Sequence, residues 1–67
     1  STGDTFYDYV NGERVNEACR IIDNIKQQGH KPTMGTVATA SGFYSQAAFN
    51  HCFHQFVHMS PQAYYKL

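Results

Sequence analysis

"TVATASGFYSQAAFNHCFHQFVHMSPQAYYK", residues 36–66, is the stretch that decides the fold. Gly42 divides two apolar-periodic segments, and glycine takes the backbone angles that a tight turn requires. Before it, "TMGTVATASG" predicts a short helix with Thr33 as N-cap and Val37 and Ala38 facing inward. After it, Ser45 caps a third helix, "SQAAFNHCFHQFV". "SPQAYYKL" then opens a fourth, with Ser60 at the N-cap and Pro61 at the first helical position, where its missing N–H costs nothing. Helix, glycine turn, helix and a short closing helix is a helix-turn-helix order. Ala38, four residues before Gly42, is small enough for two helices to cross closely. A plain helical hairpin shares most of this pattern, and spacing alone does not separate the two.

Upstream, "TFYDYVNGERVNEACRIIDNIKQQG" (5–29) predicts one long helix. Phe6, Tyr9, Val10, Ala18, Ile21, Ile22 and Ile25 recur at helical spacing, and Val15 and Cys19 widen the stripe. Thr5 and Asp8 fit a capping box. Gly29 and Pro32 end the helix. Gly12 lies inside it, where glycine costs about 1 kcal/mol relative to alanine and gives the helix a place to kink or break. The whole chain is therefore expected to be all-α.

The composition bounds the function. Sixty-seven residues allow one small domain, burying roughly 60% of its unfolded surface. Apolar residues make up 42% of the chain, with five Phe and five Tyr, too rich for disorder. Five basic residues balance five acidic ones, which argues against strong nonspecific attraction to nucleic acid or membrane. Two widely spaced cysteines make no disulfide framework. They read as reduced thiols of a cytoplasmic protein. No signal peptide and no bilayer-length apolar run is visible.

At roughly 100° per residue, Phe49, Phe53 and Phe56 share one side of the third helix as its core stripe. Ala47, His51 and His54 fall opposite, with His58 in line past the end. Asn50 and Gln55 flank that face, and Gln46 sits at its N-terminal edge. Three readings compete for the histidines. Residues at i, i+3 and i+7 can converge on a metal, but His58 lies where the helix ends, and Cys52 points to the core side. No carboxylate is near in sequence, so no metal is expected. A solvated helix face is the second reading. The third is a recognition helix. Gln46, Asn50 and His51 would meet base edges, since Gln and Asn pair well with adenine, and Ala47 would meet a thymine methyl. An enzyme is not expected. Cys52 and His51 diverge on a helix, leaving no Cys–His pair. There is no phosphate-binding glycine loop and no paired carboxylate, and no cofactor is implied.

The two ends echo each other. "GDTFYDY" (3–9) aligns with "HMSPQAY" (58–64), each with a capping Thr or Ser followed by Tyr four residues later. If the second marks the end of a helix-turn-helix unit, the first does too.

The stretch opened on resembles the second helix-turn-helix of AraC-type transcriptional regulators. Val37, Ala38, Gly42, Phe43, Ser45, Phe49, Phe53, Ser60, Pro61 and Tyr64 fall in register with that family's pattern. Phe6, Tyr9, Val10, Arg14, Ala18 and Ile22 fall on its linking helix. The resemblance implies a homeodomain-like fold and a sequence-specific DNA-binding transcription regulator. Residues 1–4 would end a missing first helix-turn-helix, 5–29 form the linking helix, and 30–67 form the second unit. By position, Gln46, Ala47, Asn50 and His51 would face bases of double-stranded DNA. Lys31, Thr33, Ser45 and His54 would face phosphates. The expected partners are DNA and two parts of the same protein, the missing unit and an effector or signalling domain.

The departures from the pattern also carry expectations. His51 and His54 replace usual cations, Tyr65 replaces an Arg, His58 the turn Gly, and Ser41 an apolar core residue. Each lost cation removes phosphate attraction, so the chain alone is expected to bind DNA weakly or undetectably at physiological salt, while the full protein binds specifically. Histidine ordinarily titrates near about 6.5, so falling pH would add charge to this face. Phe6, Tyr7, Tyr9 and Val10, bare without the first unit, predict a homodimer through the first helix. The alternative function is a protein-interaction module that kept the scaffold and lost the cations.

Overall fold

The computed structural model of the chain describes residues 5–67, apart from the side chain of Thr5. The segment 1–4, half of the echo at 3–9 and the Thr5–Asp8 capping box lie outside the described residues. Four helices follow in order: α1 (Thr5–Gln27), α2 (Met34–Ala40), α3 (Gln46–Val57) and α4 (Pro61–Tyr65). The fold is all-α.

The stops of α1 and α2 share one geometry. Gly29 (φ 79°) and Gly42 (φ 95°) both take the left-handed region. At the first, the His30 N–H reaches the Ile25 carbonyl (3.0 Å) and the Gly29 N–H reaches Lys26 (3.1 Å). At the second, Phe43 reaches Ala38 (3.0 Å) and Gly42 reaches Thr39 (3.1 Å). These paired bonds satisfy carbonyls that a helix end leaves open. The turn delivers Phe43, the residue after Gly42, into the core at 6% exposure.

The starts of α3 and α4 are capped as expected. Ser45 Oγ accepts from the Ala48 N–H and Ser60 Oγ from the Ala63 N–H, both at 3.1 Å. Thr33 differs. Its backbone is extended like an N-cap (φ −95°, ψ 122°), but its side chain makes no capping bond. Its exposed hydroxyl is left to other partners.

Val15, Ala18 and Ile22 of α1 meet Met34, Val37 and Ala38 of α2 and Phe49, Cys52 and Phe53 of α3 in one core. Phe43, Phe49, Phe53 and Tyr64 form a chain of rings with centroids 5.4, 5.6 and 5.7 Å apart. Ser41 sits buried where an apolar side chain is usual. Its Oγ donates to the Val37 carbonyl at 2.7 Å and lies 3.2 Å from that of Ala38, so the hydroxyl is not stranded.

Two expectations are corrected. Phe56 is not part of the core stripe, being 41% exposed. Its direction on α3 is right, but its ring lies beside Gly12 of α1, which has no side chain to cover it. A Cβ there would lie 3.5 Å from the Phe56 ring. Likewise Phe6 (72% exposed) and Tyr9 (68%) keep helical register without reaching the core. None of residues 6–14 is buried, and the buried residues of α1 are Val15, Ala18 and Ile22. Gly12 does not break the helix, which runs continuously from Thr5 to Gln27.

Candidate nucleic-acid interface

Burial of Phe49, Cys52 and Phe53 fixes how α3 is rotated. With that side turned inward, Gln46, Ala47, Asn50, His51 and His54 are all exposed. At 100° per residue these five share an arc of roughly 140° opposite the buried rings. His58 extends the arc past the last turn, in the left-handed conformation (φ 67°) that closes the helix. The four residues expected to face bases therefore lie together on one surface. Apart from the Ala47 methyl, its side chains are amides and imidazoles, able to donate and accept hydrogen bonds at once.

The residues expected to hold phosphate divide into two groups. Lys31 and Thr33, both exposed, line a cleft of about 500 Å³ together with Gln46 at the start of α3. Ser45 is half-buried one residue earlier, its oxygen engaged by Ala48 and its O–H free to donate. His54 stands two turns away, toward the other end of α3. A second depression runs along the opposite edge of the arc. Arg14, Asn11 and Tyr7 of α1 face Tyr44, Ala47 and His51 there. The Arg14 guanidinium lies 5.9 Å from the centre of the Phe43 ring, and its side chain passes beside Gly42.

A family model described as a helix-turn-helix domain matches residues 1–66, nearly the whole chain. The chain belongs to the AraC-type helix-turn-helix family. Domains of this family are DNA-binding domains of transcription regulators. No curated protein and no solved structure matches the chain.

For an AraC-type domain the overall neutrality is misleading. All five acids, Asp4, Asp8, Glu13, Glu17 and Asp23, lie in the first 23 residues. From residue 24 onward there is no acid at all, only Lys26, Lys31, Lys66 and four histidines. The half of the molecule that carries α2, α3 and α4 is basic, and the acid is confined to the long helix and the residues before it. Five against five hid this asymmetry, which the order of the charges along the chain reveals.

Three further residues were missed. Gln62, Tyr65 and Lys66 of the α4 segment line the same cleft as Lys31, Thr33 and Gln46. Lys66 stands one place beyond the family's usual Arg position, which Tyr65 fills, and that displaced cation was the available signal.

Neither thiol is poised as a nucleophile. Burial pushes both Cys19 and Cys52 up from the ordinary thiol range. Among the described residues no group of three or more His, Cys, Asp or Glu side chains converges as a metal site. No helix among them is long and apolar enough to cross a membrane.

Proposed function

We propose that this domain binds double-stranded DNA sequence-specifically, with α3 as the recognition helix in the major groove. The observation that carries the reading is the exposed arc of α3. It presents hydrogen-bonding side chains away from the core, within the acid-free half of the chain. Gln46, Ala47, Asn50 and His51 read base edges. Lys31, Thr33, Ser45 and His54 meet phosphates and fix the register. The protein works where the DNA is, in the cytoplasm, and has no catalytic step.

The bare apolar start of α1 supports a second part of the reading. Phe6, Tyr7 and Tyr9 are more than 65% exposed, an arrangement suited to a first helix-turn-helix unit packed against them. Residues 5–29 are then the linking helix and 30–67 the second unit, with an effector or signalling domain elsewhere in the same protein.

Fluorescence anisotropy against a panel of short duplexes at low salt tests the function. The chain should bind weakly but with a preferred sequence. Asn50→Ala should cost about 1–3 kcal/mol of discrimination at a single base pair and leave the other positions unchanged. Equal affinity for every duplex, unchanged by Asn50→Ala, would remove the base-reading role. No binding at any salt would point to the protein-interaction module instead.

A further inference from the structure

We propose that the cleft between the 28–33 loop and α4 seats one phosphodiester of the DNA backbone. Lys66 and Gln62 then join Lys31 and Thr33 in holding it. This rests on the reading of α3 as the recognition helix and adds α4 to the surface that touches DNA. Lys31 and Lys66, 35 positions apart in sequence, line the same cleft, whose volume is about 500 Å³. No carboxylate lines it. Among the described residues the only ion pair is Arg20 with Glu17 on α1, so neither lysine is neutralised there.

The frame that carries the two lysines is fixed. The Tyr65 hydroxyl donates to the His30 carbonyl at 3.4 Å, tying α4 to the loop that bears Lys31. The Lys66 N–H is held by the carbonyls of Gln62 and Ala63, both at 3.2 Å. Thr33 supplies a hydroxyl not spent on capping, and Gln62 supplies an amide donor. Gln46, the first residue of the base-facing arc, forms part of the same lining. A phosphate seated here therefore lies beside the start of α3 and sets how that helix enters the groove.

Salt dependence isolates this contact. Each phosphate neutralised contributes about 0.9 to the slope of log K against log salt. Anisotropy with the chain and a labelled duplex would be measured across a salt series for Lys66→Gln, Lys31→Gln and, as a control outside the cleft, Lys26→Gln. Lys66→Gln and Lys31→Gln should each weaken binding severalfold on every duplex and flatten the slope, by about 1 when both are changed. Lys26→Gln should leave both unchanged. A Lys66→Gln slope equal to that of the unchanged chain overturns the seat, while persisting duplex preference keeps the α3 reading. Absence of binding by the unchanged chain at low salt overturns both. A titration with inorganic phosphate alone, followed by NMR, separates the two phosphate sources. Saturation of the Lys31 and Lys66 signals at submillimolar phosphate would mark a free-anion site and overturn the backbone assignment.

Discussion

His58 carries the only positive φ of a non-glycine residue among the described residues, 67°. The left-handed region costs an L-residue roughly 1–2 kcal/mol. Glycine avoids that cost but loses roughly 0.5–1 kcal/mol of chain entropy on folding. His58→Gly should therefore stabilise the domain by about 0.5–1 kcal/mol, read as a higher urea midpoint at unchanged slope. A lower midpoint would mean that the imidazole holds something the strain argument ignores. Tyr64 gives a second prediction. Burial, with Cys19 and Asp23 close by, pushes its hydroxyl up to about 12, and it donates to both Asp23 oxygens at 3.1 and 3.2 Å. The folded chain thus keeps a proton that the unfolded chain loses near about 10. That stability is fully present below about pH 10 and is lost as pH rises through about 12. Melting followed by circular dichroism should show a lower midpoint at pH 11 than at pH 8, with a smaller drop for Tyr64→Phe. An equal drop in both would assign the alkaline loss to other groups.

The helices themselves were legible wherever a short-range rule decides them. Ser45 and Ser60 cap because the bond runs from a side chain to a backbone N–H three residues on. Gly29 and Gly42 stop helices because the left-handed cap is local too. Periodicity, by contrast, gives an angle and not a neighbour. It placed Phe49 and Phe53 correctly, yet it also placed Phe6, Tyr9 and Phe56 in a core that does not extend to them. The arc of Gln46, Ala47, Asn50, His51 and His54, extended by His58, followed from the same angle. Lys66 did not, because its cleft is built by segments 35 residues apart. Gly12 tests the account at this scale. It is helical, and an added Cβ meets the Phe56 ring at 3.5 Å, an ordinary contact. Gly12→Ala should stabilise α1, and the domain with it, by up to about 1 kcal/mol in urea unfolding. Destabilisation would show that Phe56 needs the bare backbone.

For the molecule as a whole, two surfaces differ in character. One is the basic half with α2, α3 and α4, and the other is the acid-bearing long helix whose first turns leave Phe6, Tyr7 and Tyr9 in water. An uncovered patch of this kind favours self-association. Sedimentation should show a concentration-dependent dimer that Phe6→Ser with Tyr9→Ser abolishes, and a monomer at millimolar concentration would contradict the expected docking face. The other surface is the proposed DNA face, and an NMR titration of the isotope-labelled chain with a short mixed-sequence duplex at low salt and pH 6.5 tests it. The account predicts shifts confined to Lys31, Thr33, Ser45, Gln46, Ala47, Asn50, His51 and His54, joined by Gln62 and Lys66 at the α4 edge. A spectrum unmoved by excess DNA, or moved only at Phe6 to Val10, would contradict it.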